Sequence, residues 1–252
     1  MDFKKADVSN KLDKLYPSAK VYFSLEEIPD KNVFPAEWLE LIAGNFAEDK
    51  IKPLAAWDLI KNQLPNVFAF INSYVFAYAL LVENDSNFNL LYLYSTNDGQ
   101  NLHFYKGGLP LRKKEEQMET ETVSKFPPLL RSIYNHLHDG WAFIPGESAG
   151  FQPLDYCSLL NDDKFDIDEK VAKSYEFNTA DVLTIYHNGA GDYLCLNLSR
   201  DNQTDDKAEG IIWWHEEPEN PSEEGNFYEA FDAWFYFAVE TAELNSASRL
   251  VD

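Results

Sequence analysis

From Val67 to Gly107 the chain carries runs dominated by β-branched and aromatic residues, VFAFI, YVFAYALLVE, FNLLYLYST and NLHFYKG. The breaks at Asn84-Asp85-Ser86-Asn87 and Asn97-Asp98-Gly99 are short and polar, the composition that joins antiparallel strands. A chain patterned in this way is committed to a meander. Several runs are apolar at consecutive positions instead of alternating, so the sheet is expected to be buried on both faces, with helices covering one of them.

Helical signals flank the meander. Phe34-Pro35-Ala36 opens a helix with Trp38, Leu39 and Ile42 on one face, and Gly44-Asn45 stops it. A second helical stretch, Leu54 to Leu64, is expected to end at Pro65. Residues 1–20 lack apolar periodicity and are expected to fray or to form a single surface turn, with order beginning at Val21.

Beyond the meander, Leu111 to Lys125 is nearly free of large apolar groups and reads as a linker or exposed loop, bounded here as 113–125. Ser124 then caps a helix entered through Pro127 and Pro128, with Leu129, Leu130, Ile133, Tyr134 and Leu137 at helical spacing and Gly140 at its end. AFIPG and GFQPLDY are short extended pieces, and Asn161 to Glu176 is an acidic loop with some helix. A hairpin follows over Asp181 to Leu198, then an acidic loop, the strand IIWWHEE, and an amphipathic helix over about 225–240 striped with Phe227, Phe231, Trp234, Phe235 and Ala238. Residues 244–252 read as a loose tail.

The expected organisation is an N-terminal α+β region over 21–112 and an α+β core over 126–243. Each half opens with a Phe-Pro helix followed by a meander, and NLLYLYST near 89 echoes DYLCLNLS near 192. Either a diverged copy or an elaboration of one sheet explains this rhythm.

Charge narrows the function. Against 21 Lys and Arg stand 43 Asp and Glu, a formal charge of −22, and a field of that sign repels nucleic-acid phosphate and anionic membrane. It also hastens encounter with a basic protein. With 45% apolar and 15% aromatic residues the chain folds. It has no secretory h-region, no run of membrane-spanning length and only two cysteines, Cys157 and Cys195, best read as small buried hydrophobes; a cytoplasmic home is expected.

Chemistry-bearing motifs are sparse. Gly189-Ala190-Gly191 invites comparison with a phosphate cradle, but a β-type run follows it where a helix is required, so a hairpin turn explains it. The histidines, His103, His136, His138, His187 and His215, show no metal-ligand spacing, and His136 and His138 read as helix-end residues near the negative dipole. No metal, cofactor or catalytic residue is expected. The acids are unevenly placed: Asp201, Asp205, Asp206, Glu209, Glu216, Glu217, Glu219, Glu223 and Glu224 stand against Lys207 alone over 201–224. The run reads either as a solvated loop or as a negative rim on one sheet edge; in the second reading Asp201, Asp205, Asp206, Glu209, Glu216, Glu217 and Glu219 are the candidate partner-binding residues.

The C-terminal half resembles the SUKH superfamily of Smi/Knr-type proteins. Asp139-Gly140, followed by Trp141, matches that family's helix-ending pair; Gly150-Phe151 and Pro153-Leu154 its middle piece; Gly191-Asp192 with Leu194 its hairpin; and Trp214-His215-Glu216 its strand end. Asn197 stands where the family has Asp, and His215 lacks a preceding Asp. The resemblance implies a curved antiparallel sheet packed by helices, and a non-catalytic protein that binds and neutralises a cognate toxin, many such toxins being nucleases with basic grooves. Structural roles fall to Gly140, Trp141, Gly150, Phe151, Asp192 and Trp214. A regulatory scaffold on the same fold, or a hydrolase using carboxylates or His187 and His215, are the alternatives.

Overall fold

The meander read in the first half is part of a larger one. In the computed structural model, which describes residues 5–44, 54–84, 86–95, 101–113, 121–144, 146–199 and 204–248, ten antiparallel strands form one open sheet in strict sequence order. They are β1 Lys20–Tyr22, β2 Val75–Glu83, β3 Asn87–Ser95, β4 Leu102–Gly108, β5 Trp141–Ile144, β6 Ser148–Phe151, β7 Val182–His187, β8 Tyr193–Asn197, β9 Gly210–Trp213 and β10 Ser222–Glu224. The helices are α1 Lys5–Leu15, α2 Ala36–Ala43, α3 Pro65–Ser73, α4 Glu121–Ser124, α5 Pro128–Ser132, α6 Glu169–Ala172 and α7 Phe227–Ser248. Among the described residues no helix is long and apolar enough to cross a membrane. The α+β class and the helix-packed antiparallel sheet expected from the sequence are present.

Strand alternation assigns each side chain to a face. On one face Tyr78, Leu80, Leu90, Tyr92, Tyr105, Trp141, Phe151, Ile185 and Leu194 meet α2, α3, α5 and α7 in a single continuous core. Its centre is aromatic: Tyr105 stacks on Trp141 at 4.2 Å, Phe151 on Phe231 at 4.1 Å, and Trp57 meets Trp141 edge-on at 5.1 Å. The other face is covered in two separate pieces. Val8 and Leu12 of α1 pack on Ala77, Ala79, Leu91, Leu93 and Phe104, and the long β6–β7 connection brings Leu160 and Phe165 onto Val182, Cys195, Ile211 and Trp213.

The two halves of the chain meet at the β4–β5 pair, where Gly107 lies opposite Trp141 and Tyr105 opposite Phe143. Gly107 has to be glycine, since a Cβ there would sit 2.5 Å from the His138 ring. His138 is fully buried and bridges the halves. Its Nδ1–H donates to the Gly108 carbonyl at 3.0 Å, which leaves Nε2 to accept from Tyr92 O–H at 2.6 Å, and Tyr92 in turn accepts from Trp57 Nε1–H at 2.9 Å. Burial holds this imidazole neutral, pushing its pKa down to about 3. That overturns the helix-end reading of His138, which required a charge stabilised by the dipole.

Five further expectations are corrected. Residues 5–15 form a three-turn helix with Val8 and Leu12 buried, where fraying was expected. Pro65 begins a helix where a stop was expected, and VFAFI lies in α3. Pro at the first helical position suits a helix start, and the Asp232 carboxylate on α7 accepts the N–H groups of Asn66 and Val67 at 3.0 Å, satisfying donors that a helix start leaves open. Of the expected linker, 114–120 lie outside the described residues, while Val123 in α4 is fully buried. Ser124 does not cap α5; its hydroxyl donates back to the Glu121 carbonyl. α5 runs into a π-helical turn over Ile133–Leu137, closed by His138 N–H donating to the Ile133 carbonyl at 2.9 Å. The expected tail is helical as far as Ser248.

Candidate functional site

The family-type motif residues come together in pairs, and each pair fastens one loop to the next. Gly140 has φ of +81°, and a Cβ on it would strike Pro153 N at 2.5 Å. Its neighbour Asp139 is buried and accepts the Leu154 N–H at 2.8 Å, so the helix-ending pair docks on the middle piece. Gly150 lets β6 approach β5 where a Cβ would lie 2.0 Å from the Trp141 carbonyl oxygen. Trp141 and Phe151 are fully buried in the aromatic core.

The Gly189-Ala190-Gly191 segment is the turn of the β7–β8 hairpin, with φ of +87° and +110° at its glycines. Asn188 Oδ1 accepts the N–H of Ala190 at 2.8 Å and of Asp192 at 3.1 Å, the side-chain turn that suits Asn there. Asp192 reaches across to the start of the β9–β10 connection, accepting from His215 Nδ1–H at 2.8 Å and from His215 backbone N–H at 3.1 Å. Asn188 Nδ2 donates to its other oxygen at 2.7 Å. Burial by itself would raise the Asp192 carboxyl, but the His215 and Asn188 hydrogen bonds outweigh it and hold it below the usual range. The His215 ring roofs Gly191, where a Cβ would come within 2.9 Å. Trp214 Nε1–H donates to Ser222 Oγ at 2.9 Å, closing the same connection.

A paired Asp and His invite a catalytic comparison. Beyond Nδ1, however, the nearest charged partner of His215 is Glu216, 3.8 Å from Nε2, and it supplies no nucleophile. Burial lowers the half-buried His187 imidazole, with nearby Asp192 opposing. Both thiols are raised by burial, Cys157 up to about 12, so neither is an activated nucleophile. Among the described residues no group of three His, Cys, Asp or Glu side chains converges as a metal site.

The acids of the expected rim flank β9, with Glu223 and Glu224 on the edge strand β10 that pairs along it. β9 separates the others, Asp205, Asp206 and Glu209 lying before Gly210 and Glu216, Glu217 and Glu219 beyond Trp213; four residues of strand span roughly 13 Å. Two of them have structural roles. Asp205 Oδ1 accepts the Leu129 N–H at 2.8 Å at the first turn of α5 and the Tyr228 O–H at 3.1 Å from α7. Glu209 Oε2 accepts from Asn197 Nδ2 at 2.7 Å. That bond accounts for Asn at 197, since an aspartate there would set two carboxylates against each other. Asp206, Glu216, Glu217 and Glu219 are exposed. Asp201 lies outside the described residues.

The sequence reading missed a cleft of about 1000 Å³ along the β4–β5 seam, lined by polar residues such as Asn89 and Lys106 together with Val33, Phe88, Leu109 and Trp141 of the continuous core. Lys106 and Ala142 floor it, Asn84, Ser86 and Asn87 at the β2–β3 turn form one wall, and Glu147, Pro153, Asp155 and Tyr156 form the other. Lys106 Nζ pairs with Glu147 at 2.5 Å and Glu83 at 3.4 Å, and Glu83 also accepts from Asn89 Nδ2 at 3.1 Å. Burial alone would lower the Lys106 ammonium, but Glu147, Tyr16 and Glu83 together hold it above its ordinary value. The available signal was Asn89, a polar residue on the same strand face as Leu91 and Leu93. No protein family, curated protein or solved structure matches the chain.

Proposed function

We propose that this is a non-catalytic binding protein of the immunity type, which neutralises a cognate basic toxin in the cytoplasm, in line with the resemblance of its C-terminal half to the SUKH superfamily. The observation that carries the proposal is the chain's charge of −22 together with the exposure of Asp206, Glu216, Glu217 and Glu219 at the two ends of β9. A negative field of this size steers a cationic protein into encounter and discourages nucleic acid and anionic lipid from competing. The tied loops beneath favour a surface that changes little on binding, which keeps the ordering cost of association low. A nuclease with a basic substrate groove is the partner class that this surface suits.

The proposal predicts a toxin domain encoded beside this chain's gene, and the test uses that domain. Co-expression should restore growth to cells producing that domain, and the triple substitution Glu216→Gln, Glu217→Gln, Glu219→Gln should slow association by about tenfold at low salt, with less effect as salt rises. An unchanged association rate, or a toxin left fully active, removes the proposal.

A further inference from the structure

We infer that the seam cleft is the recognition site for an extended basic segment of the partner, an inference that rests on the binding-protein reading above. At about 1000 Å³ it is of the size that ligand sites take, and it opens where the two halves of the chain join. Its floor is low because Gly108, Gly140 and Ala142 contribute little side chain there. Neither glycine can be replaced without collision: a Cβ on Gly108 would lie 2.3 Å from the Asp139 carbonyl oxygen, and one on Gly140 would strike Pro153.

The walls have the chemistry of a peptide site. On one side the Asn84 and Asn87 amides offer both donors and acceptors, the complement of main-chain N–H and C=O groups. On the other, Tyr156 is 62% exposed beside Pro153, a large amphipathic ring held in a low-entropy turn, the residue type that anchors protein interfaces. The charge selects a cationic occupant. Glu83 and Glu147 share the single ammonium of Lys106, leaving one negative charge in that half-buried group, and exposed Asp155 adds another at the mouth. Lys113 is the one further base on the lining, so carboxylates outnumber ammonium groups inside a field already set by a charge of −22. An oligosaccharide would use the amides and Tyr156 but gains nothing from the excess carboxylate. A backbone segment carrying Arg or Lys uses all three.

The experiment measures binding of the full chain, by fluorescence anisotropy, to short synthetic peptides of alternating Arg and Val, to their Glu and Ser counterparts, and to a linear glucose oligomer. The Arg peptide is expected to bind with salt-sensitive affinity. The double substitution Asp155→Lys, Tyr156→Ala, both exposed positions, should weaken it by at least about tenfold, while Glu216→Gln, Glu217→Gln, Glu219→Gln leaves it within about twofold. Equal binding of the Glu peptide, binding of the glucose oligomer alone, no binding of any probe, or loss only in the triple variant overturns the inference. The toxin domain that the proposed function predicts separates this site from that function. If Asp155→Lys, Tyr156→Ala captures it as tightly as the parent, the cleft fails and the binding-protein reading survives. If the parent ignores the toxin yet takes the Arg peptide in the cleft, the outcome is reversed.

Discussion

The two faces of the sheet are covered in opposite ways. One is sealed by α2, α3, α5 and α7 over a continuous aromatic core that spans both halves of the chain; the other carries two separate coverings. Stability is therefore expected to be concentrated on the first face. Burial makes this division quantitative, because a fully buried ring on the sealed face contributes several kcal/mol, whereas an exposed carboxylate on the rim contributes close to nothing.

The sharpest way to break that contrast is on the sealed face. Trp141→Ala should cost about 3–5 kcal/mol, read as a drop in the denaturant midpoint, since it empties the contact between Tyr105, Trp57 and Phe235. A cost below about 1 kcal/mol would mean that the two faces do not differ as described. The pH dependence probes the same face. His138 is neutral in the fold down to about pH 3 but protonates near 6.5 when unfolded. The unfolded chain therefore binds the extra proton between those values, so this contribution is whole above pH 6.5 and is lost as pH falls toward 3, at about 1.4 kcal/mol per unit. Unfolding titrations of the parent against His138→Leu should show the variant with a shallower slope in that window.

Leu12→Ala tests the second face. The loss should be smaller, about 2 kcal/mol, and local: hydrogen exchange of the α1 amides should quicken while the β4 and β5 amides stay protected. Uniform acceleration would show that α1 is integral to the core and not a separate cover. Asp205→Ala should cost about 1 kcal/mol through loss of the α5 cap, whereas Glu217→Gln should stay within about 0.5 kcal/mol, and thermal melts of the two distinguish a structural acid from a surface one.

Much of the fold was legible because its signals are local. Alternation and consecutive apolar runs gave β2, β3 and β4, Gly and Asn marked the β7–β8 turn, and the Phe and Trp stripe gave α7. What escaped depended on distant partners. VFAFI has the composition of a strand, and its helix is fixed by Pro65 together with Asp232, which lies more than 160 positions away. His138 looked like a surface residue at a helix end because neither Tyr92 nor Gly108 is near it in sequence. The acids are close along the chain and read as one kind, but Asp205 and Glu209 are taken up in satisfying N–H and O–H donors of distant segments. The cleft was invisible for the converse reason, its walls coming from segments about seventy positions apart.

The strict sequence order of the strands also bears on how the molecule assembles. Each strand pairs only with its immediate predecessor and successor, so a chain leaving the ribosome can add them one at a time, without waiting for a crossover or threading a loop. The exception is α7, whose Asp232 clamps the start of α3 and which arrives last. Synthesis halted before residue 227 would yield all ten strands with the part of the aromatic side that α7 covers left exposed, a form apt to aggregate until α7 is made.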